Sequence, residues 1–179
     1  MSRLYTTPAA EATGELADLF GSIKRAMGKV PNAYATVGSN APAVLAQALQ
    51  TNGMLLTKTS LGKRELEAIN LAVSEASGCD YCVAAHTLTG KLAGYTLEQT
   101  RALRAGAYAE DSKINALVQF ALRLVQTRGT LPADALESVR AAGFDDRQIV
   151  EAIAAISAIL FTNMLNRTND TTLDFPRVD

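Results

Sequence analysis

An all-α bundle in a single domain is predicted by three features of the sequence. Apolar residues recur at three- and four-residue spacing along most of the 179 residues, the spacing that gathers side chains on one face of a helix. No stretch alternates apolar and polar residues with period two, as a half-buried strand would. Helix stop and start signals also follow one another closely, with glycine at the stop and Thr or Asp, then Gln three residues on, at the start. The length suffices for one core, and a charged fraction of 20% is that of an ordinary globular chain.

The elements follow in order. Residues 1–11 form an extended lead-in that ends after Pro8. Thr13 to Met27 is a helix with Leu16, Leu19, Phe20, Ile23 and Met27 on one face, stopped by Gly28-Lys29-Val30-Pro31. A short helix is expected over Asn32 to Val37. Another starts at Asn40-Ala41-Pro42 and runs to about Thr57, because proline suits a first turn, where its missing N–H costs nothing. Ser60 is the expected N-cap of a helix over Leu61 to Ala76. That helix has an apolar stripe of Leu66, Ile69, Val73 and Ala76 and a polar line of Glu67, Asn70 and Ser74. Ser77-Gly78 breaks it, and the next helix runs from near Asp80 to Ala93 with Cys82, His86 and Leu92.

Two junctions look alike. Gly94-Tyr95-Thr96-Leu97-Glu98-Gln99 and Gly143-Phe144-Asp145-Asp146-Arg147-Gln148 each place glycine at a C-terminal cap, an aromatic before the N-cap, and a capping box after it. A repeated helical hairpin would produce this; shared capping rules would too. Between the junctions lie helices over Leu97 to Arg104 and Asp111 to Arg128, the second with Ile114, Leu117, Val118, Ala121, Leu122 and Val125 on a stripe, then one over Pro132 to Ala142. Ile149 to Asn166 is apolar around most of its circumference and is expected to be the central buried helix. The polar stretch Thr168 to Asp179 is expected to be disordered or to dock on a neighbouring subunit. The chain thus divides into an N-terminal helical segment, 1–58, that covers a site or builds an interface, a core, 59–167, and a tail, 168–179.

A net charge of −1 leaves no electrostatic footprint for nucleic acid and no basic run for a membrane surface. Met1 to Tyr5 lacks the apolar run of a signal peptide. Ile149 to Leu165 is interrupted by Glu151, Ser157, Thr162 and Asn163, short of a membrane span. Two cysteines are too few for a secreted disulfide scaffold, so a reducing cytoplasm is expected.

The chemistry is concentrated in Cys79-Asp80-Tyr81-Cys82-Val83-Ala84-Ala85-His86, which holds both cysteines and the single histidine of the chain. A Cys-x-x-Cys pair opening a helix can cycle between dithiol and disulfide. His86, four residues after Cys82, lies one turn along the same helix face. A free thiol titrates near ~8.5, and a helix N-terminus supplies only about 0.3–1 kcal/mol to a nearby anion, less than one pH unit. A base is therefore needed, His86 is the one histidine that could serve, and Glu67 on the preceding helix could orient it. The same residues admit two other readings: buried, apolar-like cysteines, or a zinc site of Cys79, Cys82, His86 and Glu67.

Glu67, eleven residues, Cys79-x-x-Cys82, three residues and His86 resembles the active-site signature of the AhpD-like alkylhydroperoxidases of the carboxymuconolactone decarboxylase superfamily. Arg64-Glu65-Leu66-Glu67 and Leu71-Ala72-Val73-Ser74 agree with it. The likeness is specific over residues 61–94 and looser through the Gly143 junction to Asn163-Met164-Leu165-Asn166. Length and Pro31-Asn32-Ala33-Tyr34 are similar to the peroxidase-related subgroup.

The resemblance implies an all-helical, AhpD-like bundle that assembles as a trimer or hexamer, with no cofactor. It implies that Cys82 as thiolate attacks the O–O bond of an organic or hydrogen peroxide and becomes a sulfenic acid. Cys79 then condenses with it to a disulfide, Glu67 and His86 relay the proton through a water, and a lipoyl-type or thioredoxin-like dithiol restores the pair. Tyr81 departs from the pattern, since some members carry a second histidine there. A phenol titrating near ~10 is a poor base at neutral pH, which implies a shorter relay and a slower enzyme. Tyr81 and Ser74 are the further pocket candidates, while Asn163 and Asn166 are expected to be helix-end hydrogen bonders or interface residues. Disulfide reduction and redox sensing are alternatives on the same pair. Lactone decarboxylation ranks low, because that branch does not generally carry Cys-x-x-Cys.

Overall fold

The computed structural model describes residues 2–178, among which there are nine α-helices and no strand. They are α1 (Gly14–Met27), α2 (Asn32–Asn40), α3 (Pro42–Lys58), α4 (Lys63–Ala76), α5 (Asp80–Leu92), α6 (Leu97–Arg104), α7 (Ser112–Gln126), α8 (Ala133–Ala141) and α9 (Asp146–Asn169). Both predicted capping boxes form, Thr96 with Gln99 and Asp145 with Gln148. Gly94 and Gly143 precede them at φ +96° and +93°, a left-handed conformation that glycine adopts without a Cβ clash.

The central helix is α4, not the last helix as the composition suggested. Leu66, Ala68, Ile69, Leu71, Ala72 and Val73 are all buried, because α5, α6, α7 and α9 pack around it. Leu71 and Ala72 face Tyr95, Leu103 and Tyr108. Ile69 and Val73 face the second and larger cluster, with Leu117, Ile156 and Ile159. By length and composition α9 is apolar enough to cross a membrane. It packs against α4 and α3, however, and its buried positions include Asn163, Asn166 and Asn169. Val150, Ile153 and Met164 on it are exposed. An apolar circumference does not say which part of it the same chain covers.

The N-terminal helices form a third cluster of Phe20, Ile23, Val37 and Leu45. Gly38 permits it: a Cβ there would fall 2.7 Å from Leu45 Cδ2 and 2.8 Å from Phe20 Cε1. The α3–α4 junction corrects a second expectation. Gly62 is the N-cap of α4, while Ser60 donates its N–H and hydroxyl to Glu151 Oε2 at 2.8 and 2.6 Å. A carboxylate from α9 makes stronger hydrogen bonds than a neutral cap, and this one ties the junction to α9.

After α9 the chain folds back on its own bundle and is ordered there, where a disordered end was one expectation. Asn169 accepts the N–H groups of Arg3 and Leu4 at its Oδ1. Asp174 forms an ion pair with Lys29 at 2.9 Å. Phe175 stands edge-on to Tyr81 with 5.5 Å between centroids and carries Lys29 over its face. This returning segment joins the N-terminal helices to the first turn of α5.

Candidate active site

The turn between α4 and α5 fixes both cysteines. Gly78 takes φ +63°. Its N–H donates to the Glu75 carbonyl and that of Cys79 to the Ser74 carbonyl, the paired bonds of a Schellman stop. Cys79 then caps the next helix, its Sγ accepting from the Cys82 N–H at 3.3 Å. One residue thus ends α4 and starts α5, which leaves the Cys-x-x-Cys pair little freedom. The sulfurs form a disulfide with Cα atoms 5.3 Å apart, within the usual span of such bonds. Cys79 is 1% and Cys82 3% exposed.

Glu67 and His86 meet across the α4–α5 contact, His86 Nδ1 lying 2.9 Å from Glu67 Oε2. The Thr89 hydroxyl donates to the same oxygen at 2.8 Å. A carboxylate at Nδ1 fixes the proton there in the neutral ring and leaves the lone pair on Nε2. Side-chain exposures of 23% and 13% make the pair reachable by solvent without being dissolved in it. Glu67, His86, Thr89, Asn70 and Cys82 line one cavity of about 430 Å3 whose remaining wall is mostly apolar, including Leu55, Ile159 and Phe175. Among the described residues no hydrogen bond joins the imidazole to Cys82. The cavity both residues line is large enough to hold water.

The structure therefore brings Glu67, His86 and Cys82 to one cavity, with Cys79 bonded behind Cys82. Tyr81 lines the cavity too, but its hydroxyl points to the returning tail. It donates to Asp174 Oδ1 at 2.7 Å and accepts from the Ala33 N–H at 3.2 Å. Burial, and then its bond to the Asp174 carboxylate, push its titration far above the ordinary phenol range. Tyr81 is thus an anchor that stays protonated. Ser74 is fully buried, lies outside the cavity lining and accepts from Asn163 Nδ2 at 3.2 Å, because it sits on α4 where α9 crosses. Among the described residues no three of His, Cys, Asp and Glu are gathered to hold a metal ion, so the geometry does not assemble the zinc set of Cys79, Cys82, His86 and Glu67.

Asn166 lies in the last turn of α9, the helix end expected for it, and from there its amide reaches the redox pair. It is 4% exposed and its Nδ2 donates to Cys82 Sγ at 3.3 Å, while its Oδ1 has no partner among the described residues. The available signal was the recurrence of Asn163, Asn166 and Asn169 every three residues on an otherwise apolar helix, a polar stripe facing inward. A hydrogen bond to a charged group contributes about 1.5–3 kcal/mol, so in the reduced protein this amide favours the Cys82 thiolate. Asn166→Ala is expected to slow alkylation of Cys82 by iodoacetamide at neutral pH about ten- to a hundredfold. The rate is read by peptide mass. An unchanged rate would show that the amide does nothing for the thiolate.

Residues 42–123 match the model of the carboxymuconolactone decarboxylase family. No curated protein matches the chain in sequence. Among solved structures, the AhpD core of a peroxidase-related protein from Ralstonia eutropha JMP134 superimposes with a TM-score of 0.86 at 20% identity, over 97% of this chain and 92% of that one. A peroxidase-related protein from Silicibacter sp. TM1040 gives 0.81 at 21% identity, over 96% and 94%. The debrominase Bmp8 gives 0.81 at 17% identity, over 97% and 93%.

Proposed function

We propose that the chain is a member of the AhpD/carboxymuconolactone decarboxylase superfamily, whose family model matches residues 42–123, and that it is a thiol-dependent peroxidase. The reading rests above all on the Glu67–His86 pair, 2.9 Å apart, opening onto the same cavity as one sulfur of a redox pair. In the reduced protein His86 Nε2 takes the Cys82 proton, through a water. The thiolate attacks one peroxide oxygen, the O–O bond breaks, and the leaving oxygen departs as alcohol or water with that proton. Cys82 is now a sulfenic acid. Cys79 Sγ attacks it, water leaves, and the disulfide forms. A dithiol of lipoyl or thioredoxin type returns two electrons and two protons. The unpaired Asn166 Oδ1 beside the sulfur supports the reading as well, since a buried acceptor without a partner costs about 1–3 kcal/mol and a peroxide hydroxyl would relieve it.

The largely apolar cavity favours organic hydroperoxides over hydrogen peroxide. It also supports a second reading, reductive removal of halogen from a small ring. The debrominase with this fold has been seen, as a cysteine variant, in complex with 2,3,4-tribromopyrrole. There the same thiolate would take the halogen, the ring carbon a proton, and Cys79 would displace halide to give the same disulfide.

The test mixes reduced protein with an equimolar amount of cumene hydroperoxide and follows free thiols and intact mass. Rapid loss of both thiols, with a mass lower by the two hydrogens, is expected. Thiols that survive the peroxide but are lost to bromopyrrole with bromide release would favour the second reading. Thiols that survive both and oxidise only with a disulfide substrate would leave a disulfide reductase.

A further inference from the structure

The Cys79–Cys82 bond lies in a wall between two cavities. Cys82 lines the apolar one with His86. Cys79 lines a second, of about 670 Å3, roofed by Thr171, Thr172 and Arg177 of the returning tail. Neither cysteine lines both. Tyr81 and Asn166 do, and complete the partition. The second cavity is polar and charged, with Arg104, Arg167 and Arg177 interleaved with Glu75, Asp80 and Asp170.

We propose that this second cavity is a separate entrance for the reductant, and that Cys79 is the sulfur it attacks. The inference rests on the dithiol cycle proposed above but not on the nature of the oxidant. Displacement at a disulfide needs the attacking thiolate in line with the bond, on the far side of the sulfur it attacks. Cys79 borders only the polar cavity, and Cys82 only the apolar one, where an anionic thiolate loses its hydration among hydrocarbon. Arg167 favours the polar route: its guanidinium carbon would lie 3.9 Å from a Cβ at Gly78, beside the turn that presents Cys79. With Cys79 only 1% exposed, the ligand class is a slender alkyl dithiol that enters the cavity.

The steps balance. The first reductant thiolate bonds to Cys79 Sγ, the Cys79–Cys82 bond breaks, and Cys82 leaves as a thiolate that keeps the Asn166 amide donor, 3.3 Å away. The second thiol of the reductant, as thiolate, attacks its own first sulfur. A cyclic disulfide leaves, and Cys79 is released as a thiolate facing the Cys82 N–H. The dithiol has given two electrons to the protein pair, and the two protons it shed on ionising balance those that return Cys79 and Cys82 to thiols.

The test uses the full chain oxidised with diamide, so that peroxide plays no part. Disulfide protein is mixed with 2-mercaptoethanol, quenched in acid at early times, and the mixed disulfide is located by peptide mass. An adduct on Cys79 with Cys82 free is expected; an adduct on Cys82 would overturn the proposal. Thr172→Trp and Arg177→Trp, both at exposed positions of the roof, narrow the entrance. At least one of them is expected to lower the ratio of the dithiothreitol reduction rate to the peroxide or diamide oxidation rate by about tenfold or more. Ratios unchanged in both, with native circular dichroism, would also overturn it. If a variant does not fold, the adduct position in the unaltered chain decides alone. Should peroxide fail to oxidise the protein while the adduct forms on Cys79, the peroxidase reading falls and the reductant entrance stands.

Discussion

Cys82→Ser is expected to abolish peroxide consumption, lowering the rate at least about a thousandfold, because even beside a base a serine hydroxyl is not appreciably ionised at neutral pH and its oxygen cannot form the sulfenic acid or the disulfide of the cycle. Cys79→Ser is expected to behave differently. It completes one turnover and stops, with one oxygen added to Cys82 as a sulfenic acid that dimedone traps. The contrast matters because the two thiols have rival claims. Cys79 holds the helix N-terminus and the Cys82 N–H, which is the better electrostatic position. That advantage is only about 0.3–1 kcal/mol. Cys82 has the Asn166 amide and the cavity that His86 and Glu67 share, and a positioned base contributes about 10²–10⁴ in rate. The base outweighs the helix N-terminus, so the first attack falls to Cys82. A sulfenic acid on Cys79 in the Cys82→Ser chain would reverse the assignment.

The same contrast between near and distant partners separates what the sequence conveys from what it does not. Helices and their caps are local. Thr96 with Gln99 and Asp145 with Gln148 carry their own instructions within four residues, and both boxes form. Cys79, Cys82 and His86 share a helix and its preceding turn, so their proximity also follows from spacing. Glu67 is different: helical periodicity put it on a line with Asn70 and Ser74 but gave no direction for that line. The fold sends Glu67 and Asn70 to the cavity and buries Ser74 against Asn163.

What stayed illegible depends on distant parts of the chain. Asn166 is 84 positions from Cys82 and Glu151 is 91 from Ser60. No local pattern announces either bond. Asp174 reaches Tyr81 by the returning tail, whose polar composition fits a disordered end equally well. Its ordering comes from a buried phenol that requires an acceptor and from Phe175 packing on the same ring. The partition between two cavities is built from such distant contacts, so it could be seen only in the folded chain.

His86→Ala is expected to slow oxidation of the reduced protein by cumene hydroperoxide at pH 7 about a hundredfold or more, and the pH dependence of that loss reveals what the imidazole does. A free thiol titrating near ~8.5 is about 3% ionised at pH 7. Supplying the thiolate alone is therefore worth at most about thirtyfold. In the alanine variant the rate should climb about tenfold per pH unit until the thiol ionises by itself, recovering that part of the loss. The part of the loss at pH 7 beyond that thirtyfold measures the second task, return to the departing alkoxide of the proton that Nε2 took from Cys82, and it too fades at high pH, where Nε2 has no proton to give. A general acid is worth a further ~10²-fold or more. The Glu67 carboxylate holds the ring for both tasks through Nδ1, so Glu67→Gln, which keeps the shape and removes the charge, should reproduce the pH 7 deficit in weaker form. A loss of no more than about thirtyfold at pH 7 would confine His86 to deprotonating Cys82, and a loss equal at every pH would remove it from proton transfer altogether.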